Sequence, residues 1–106
     1  MRPTSVTVGS ATTSAWIPVD YRQENFGIGI GCVISGGSTL TYKVQHTFDD
    51  IFDPSVTPTA FDHSTITGKT TNSDGNYAFP VRAVRLNVTA YTNGDVTMTL
   101  LQGAAG

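Results

Sequence analysis

The sequence predicts an all-β fold: a single antiparallel β-sandwich, jelly-roll-like, with about eight strands in one domain spanning residues 1–106. Three observations carry this. The first is strict alternation from Leu40 to Phe48, with Leu40, Tyr42, Val44, His46 and Phe48 on one side and Thr39, Thr41, Lys43, Gln45 and Thr47 on the other. Strand side chains point to opposite faces with period two, so this stretch covers a core with one face and meets a polar medium with the other. The second is composition: Thr, Gly and Val dominate, Glu occurs once, at Glu24, and helix formers never gather at helical spacing. The third is the regular spacing of turn signals, which suits a sandwich or barrel. Two sheets packed face to face bury such half-apolar strands most simply.

Taken in order, Thr4 to Val8 is short and β-prone, and Gly9-Ser10 turns it; residues 1–10 are also a candidate extended arm. Thr12 to Val19 places Ala15, Ile17 and Val19 opposite Trp16, and Pro18, which cannot donate to a ladder, puts this segment at a sheet edge or bends it there. Tyr21 to Asn25 reads as a polar loop. In Phe26 to Ile34 the residues Phe26, Ile28, Ile30, Cys32 and Ile34 share one face and Gly27, Gly29 and Gly31 line the other, where a backbone or ring can approach closely. Ser35-Gly36-Gly37-Ser38 reads as a hairpin into the alternating strand, which runs straight into the acidic, aromatic loop Asp49 to Pro54. Phe61 to Thr71 is a threonine-rich strand with Ile66 as its main apolar residue. Asn72 to Asn76 reads as a turn centred on Asp74-Gly75. Tyr77 to Ala83 is interrupted by Pro80. Val84, Leu86, Val88 and Ala90 then point inward, Asn93-Gly94 is a hairpin signal, and Val96, Met98 and Leu100 return inward. Gln102 to Gly106 is small and loose.

Length and charge narrow the function classes. A chain of 106 residues buries roughly 60–70% of its unfolded surface, enough for one core without metals or disulfides. Charged residues make up 13%, with net charge −2 and six Lys and Arg spread along the chain, so the basic face that a nucleic-acid partner needs is not expected. No stretch approaches the roughly 20 apolar residues that span a bilayer, so no membrane partner is expected. A single cysteine, Cys32, and the absence of an apolar h-region after Met1 predict folding in a reducing cytoplasm.

Each candidate site has a plainer reading. Asp49, Asp50 and Asp53 are oxygen ligands of the type calcium takes, but they lack the ligand spacing and glycine of a calcium loop, and aspartates populate turns by capping their own backbone. His46 beside that loop and His63 after Asp62 invite a metal or acid–base reading; a histidine on the apolar side of a strand is more often a hydrogen-bonded core residue, and zinc needs further ligands. No Gly-x-Ser-x-Gly elbow is present and Cys32 alternates inward, so a small hydrolase is a minor alternative and no enzyme or cofactor is expected. Gly27-Ile28-Gly29-Ile30-Gly31 leads into a strand end rather than a phosphate-holding helix. Asn87-Val88-Thr89 fits the glycosylation pattern but reads as an outward strand position. Trp16, Phe52 and Tyr91 are candidate exposed rings, and Arg85 is an outward guanidinium able to pair a carboxylate across a subunit seam. Few charges, many threonines and flat outward faces together fit a domain covered by neighbours.

Tyr42 to Asp50 (YKVQHTFDD), Asp74-Gly75-Asn76-Tyr77, Val81 to Thr89 (VRAVRLNVT) and Asn93 to Leu100 (NGDVTMTL) carry a resemblance, covering about two thirds of the chain, to small virion structural proteins of tailed bacteriophages. That resemblance implies a compact β-sandwich in the virion, assembled in the host cytoplasm: a head decoration or cement protein, homo-oligomeric with a trimer as the expected form, whose partner is the major capsid protein or another virion protein. The contact residues expected are Trp16, Asp49, Asp50, Phe52, Asp53 and Arg85. The leading alternative is a tail fibre or baseplate module that binds a host glycan or receptor on an aromatic platform.

Overall fold

In the computed structural model of the chain, residues 4–19 and 27–102 are described. Eight strands occur among them: β1 Thr4–Val8, β2 Ile17–Pro18, β3 Ile28–Ile34, β4 Thr39–Thr47, β5 Phe61–Asp62, β6 Ser73–Tyr77, β7 Ala83–Asn93 and β8 Val96–Gln102. They form two antiparallel four-stranded sheets, sheet A in the order β1-β8-β3-β6 and sheet B in the order β2-β7-β4-β5. β1 lies beside β8, β2 beside β7, β3 beside β6 and β4 beside β5. That is the pairing of one long hairpin rolled into a jelly roll. The fold class read from the sequence is therefore the observed one.

The inward residues of both sheets make one core. Ile28, Ile30 and Cys32 of β3 and Val96, Met98 and Leu100 of β8 meet Tyr42 and Val44 of β4 and Val84, Leu86 and Val88 of β7, with Ile66 and Tyr77 between them. Tyr42 ties the sheets together: its hydroxyl donates to the Thr71 carbonyl at 2.6 Å and accepts from the Ser73 hydroxyl at 2.7 Å. A fully buried phenol needs such partners, because an unmet hydroxyl in an apolar core costs roughly 1–3 kcal/mol. β2 is an edge strand, as Pro18 requires, and the chain before it follows β7 irregularly, through Ser14 N–H to Leu86 O and Val88 N–H to Thr12 O.

Several local readings are corrected. Ser35–Ser38 and Asn93-Gly94 are not hairpins within a sheet, since β3 and β8 belong to sheet A and β4 and β7 to sheet B. They are corners that carry the chain across the sandwich. The two corners are bonded to each other: Ser35 N–H donates to Asp95 O at 3.0 Å and Thr39 N–H to Asn93 Oδ1 at 2.7 Å. Gly94 has φ +90°, and a Cβ there would run into Ser38. Asp74-Gly75 is not a turn. It is the middle of β6, where Asp74 pairs Gly31 and Gly75 pairs Ile30. Phe61 to Thr71 forms only the two-residue β5, followed by irregular pairing of the backbone near 63–69 with β4. Phe48 does not point into the core; β4 ends at Thr47 and the ring is 48% exposed. Ala90 is exposed, because β7 shifts register against β4 near Thr39–Tyr42 and runs on past the core. Within the segment read as an arm, Thr4–Val8 is β1; residues 1–3, the Tyr21–Asn25 loop, Phe26 and Gly103 to Gly106 lie outside the described residues.

Candidate functional site

The chemistry-bearing side chains gather at the end of the sandwich where β4 finishes. His46, the last inward residue of β4, is 6% exposed. Three phenylalanines surround its ring: Phe61 stacks on it at 5.8 Å, and Phe48 and Phe79 meet it edge-on at 5.4 and 5.6 Å. Phe48 also lies against Phe61 at 5.7 Å and Phe79 at 6.4 Å. Each phenylalanine sits on or just beyond a strand, Phe48 after β4, Phe61 in β5 and Phe79 after β6, so the topology brings together rings far apart in sequence. Each stays 48% exposed. Aromatic pairs at 4.5–7 Å in edge or offset geometry gain about 0.5–1.5 kcal/mol beyond area burial, so the cluster is held in place while half its surface remains outside.

Beneath the rings, the two histidines are tied down. The Tyr77 hydroxyl and His46 Nδ1 are hydrogen-bonded at 2.8 Å. Burial, the first cause, and His63 nearby lower the His46 pKa, while burial raises that of Tyr77 well above the usual phenol, so the bond joins a neutral imidazole and a neutral phenol. His63 Nδ1 accepts the N–H groups of Thr65 and Ile66, both at 3.1 Å, which places its proton on Nε2, donating to Asn76 O at 2.8 Å. Both rings therefore act as hydrogen-bonded core histidines. No group of three or more His, Cys, Asp or Glu poised to hold a metal occurs among the described residues.

The acidic loop borders the rings. Asp49 Oδ2 accepts Thr59 N–H at 2.7 Å, Asp50 Oδ1 accepts Phe52 N–H at 3.0 Å, and Asp53 Oδ1 accepts both the N–H and the hydroxyl of Ser55. Those two bonds from Ser55 hold the Asp53 carboxyl below its ordinary pKa. Arg82 Nη2 lies 4.0 Å from Asp50 Oδ1. The aspartates thus shape the loop through their own backbone, and Phe52 at its tip is 74% exposed.

Trp16 and Arg85 fall on a second surface, the outer face of sheet B. The guanidinium carbon of Arg85 lies 4.4 Å from the Trp16 ring centroid, and its Nε donates to Gln45 Oε1 at 2.9 Å. Gln45 Nε2 in turn donates to Asp62 at 2.9 Å, and Lys43 pairs with Asp62 at 3.2 Å. Burial lowers the Arg85 pKa from the usual guanidinium range. Arg85 thus commits its Nε to Gln45 and its guanidinium plane to Trp16, which is half-buried.

The expected contact residues therefore divide: Asp49, Asp50, Phe52 and Asp53 stand together on one loop, while Trp16 and Arg85 pair elsewhere. The sequence reading missed Phe48, Phe61 and Phe79 as a group. Alternation places Phe48 on the core face of its strand, and Phe61 and Phe79 lie in segments without a period, so nothing local marks the three as neighbours. At the other end of β4, a depression of about 210 Å³ is lined by Ser38, Thr39, Leu40, Thr41, Thr70, Ala90, Tyr91 and Thr92; it contains no acid, histidine or lysine.

No family model and no curated protein matches the chain. Among solved structures it is similar to a chain of Bacillus endospore appendages, described as forming a novel family of disulfide-linked pili. The identity is 13% and the TM-score 0.52, over 99% of this chain and 87% of that one. At that identity the likeness shows the fold.

Proposed function

We propose that this chain is a structural protein of a phage particle, a capsid decoration or cement protein that docks on coat subunits and stabilises their seams without catalysis. The observation that supports it best is the half-exposed cluster Phe48, Phe61 and Phe79 on buried His46, beside the Asp49–Asp53 loop. Rigid aromatic anchors with a polar rim are the usual centre of a protein contact. The rim charge, three aspartates with Arg82 among them, fits a coat surface that offers an apolar pocket edged with Lys or Arg. Individually weak contacts, repeated by the symmetry of a shell, act together through avidity.

The test is gradient co-sedimentation of the purified protein with mature particles that lack it. Hundreds of bound copies per particle are expected, and Phe48→Ala with Phe61→Ala should weaken binding at least tenfold while far-ultraviolet circular dichroism stays unchanged. Absence of binding, or equal binding by the variant, overturns the reading. The fold likeness to an appendage chain favours a second reading, a subunit of a fibre. In that case the purified protein forms filaments visible by electron microscopy. Disulfide linkage between subunits would find no accessible thiol among the described residues, because Cys32 is 1% exposed in β3.

A further inference from the structure

The four sheet edges among the described residues are not alike. β2 is two residues long and contains Pro18, and β5 is also two residues long. β6 carries the exposed Asp74 and, at its centre, Gly75. Shortness, proline and charge are the means by which natural sheets prevent edge-to-edge pairing. β1 has none of them. Thr4–Val8 is uncharged, lacks proline and glycine, and pairs with β8 in unbroken register over five residues. Its other side has no backbone partner among the described residues.

The sequence of this edge is also complementary to itself. In antiparallel pairing centred on Val6, Val6 faces its own copy, Ser5 faces Thr7, and Thr4 faces Val8. Inward residues then meet inward residues on one face, and small hydroxyl residues meet on the other, so no side chain is put on the wrong face. The outer face already shows what such pairs do: Ser5 bonds Thr99 at 3.0 Å and Thr7 bonds Thr97 at 2.8 Å across the β1–β8 ladder. Ser5–Thr7 pairs between copies extend that hydroxyl ladder by one more strand.

We propose that β1 is a two-fold interaction surface whose occupant is β1 of a second copy of this chain, joining the two A sheets into one of eight strands. The contact is isologous and closes at two copies. It is independent of the aromatic end, and a shell or fibre role can fail without touching it.

Sedimentation equilibrium of the purified protein tests it. A concentration-dependent rise from the 11.2 kDa protomer to twice that mass is expected. The register is read with Ser5→Cys and Thr7→Cys under mild oxidation. The double variant places the thiol at position 5 of one copy opposite the thiol at position 7 of the other, and should give a covalent dimer at least tenfold more abundant than either single variant. Residues 5 and 7 of one strand are too far apart to close on each other. A mass that stays at one protomer to about millimolar concentration, a closed trimer, or single variants that cross-link as well as the double would each overturn the proposal.

Discussion

His46 joins the outside of the molecule to its core: its ring supports three surface phenylalanines, and its Nδ1 is hydrogen-bonded to the hydroxyl of the buried Tyr77. Burial and the neighbouring His63 outweigh Asp62 and lower its pKa from 6.5, so the unfolded chain takes up this proton at a higher pH than the folded one. The sign follows from linkage. The stability carried by the neutral ring is complete above about pH 6.5 and is lost as pH falls through the window below it, with a slope of at most ~1.4 kcal/mol per pH unit for one proton. Unfolding by guanidinium between pH 8 and pH 5 should therefore show the wild type weakening more steeply below pH 6.5 than His46→Gln. Equal slopes in the two proteins would remove His46 from the account. Asp62, held below its ordinary 3.8 first by the hydrogen bond from Gln45, contributes stability that is lost only at lower pH, so it does not obscure the histidine window.

Strands were legible in the sequence wherever one face is core, because burial imposes period two; β3, β4, β7 and β8 show it plainly. Turn chemistry was legible too, but not what each turn connects. Whether Ser35–Ser38 closes a hairpin or a corner depends on β8 and β6 flanking β3, and those pairings come from residues 41 to 74 positions away. Asp74-Gly75 shows the same conflict. Its local preference is a turn, yet Gly75 lies in β6 because the interior needs space there: a Cβ would sit 2.9 Å from Ile66 Cδ1 and 3.1 Å from His63 Cε1. Ile66 is fully buried and three hydrogen bonds fix His63, so neither yields easily. Gly75→Ala should cost about 1–3 kcal/mol, the range for overpacking a filled core. Gly31, paired with Asp74 from β3, has nothing within 4 Å of a built Cβ; Gly31→Ala should be neutral or stabilise by about 0.5 kcal/mol through reduced chain entropy. Urea midpoints of the two variants decide it, and equal effects would mean that space inside the sandwich is not what keeps residue 75 a glycine.

Across the whole molecule, the aromatic end was not legible as a site because no segment contains it. Phe48, Phe61 and Phe79 meet only when β4, β5 and β6 are rolled to the same end. The core they border closes over Cys32, which lies in β3 between β8 and β6. Burial pushes its thiol up to about 12, so at pH 8 the thiolate fraction is on the order of 10⁻⁴ even before access is considered. A thiol reagent should then label Cys32 only through an opened state. If that opening is loss of the sandwich as a whole, the labelling rate rises with the unfolding equilibrium, tenfold for each ~1.4 kcal/mol of destabilisation. Gly75→Ala should accelerate labelling by the same factor that its urea midpoint predicts, and Gly31→Ala should leave it equal or slower. β6 is an edge strand against β3, so the competing route is β6 peeling away alone. That route would give labelling much faster than global unfolding allows and insensitive to urea at low concentration, because little surface is exposed when one edge strand leaves. Labelling that follows the global curve in both variants instead makes the two sheets one cooperative unit, with Cys32 as its reporter.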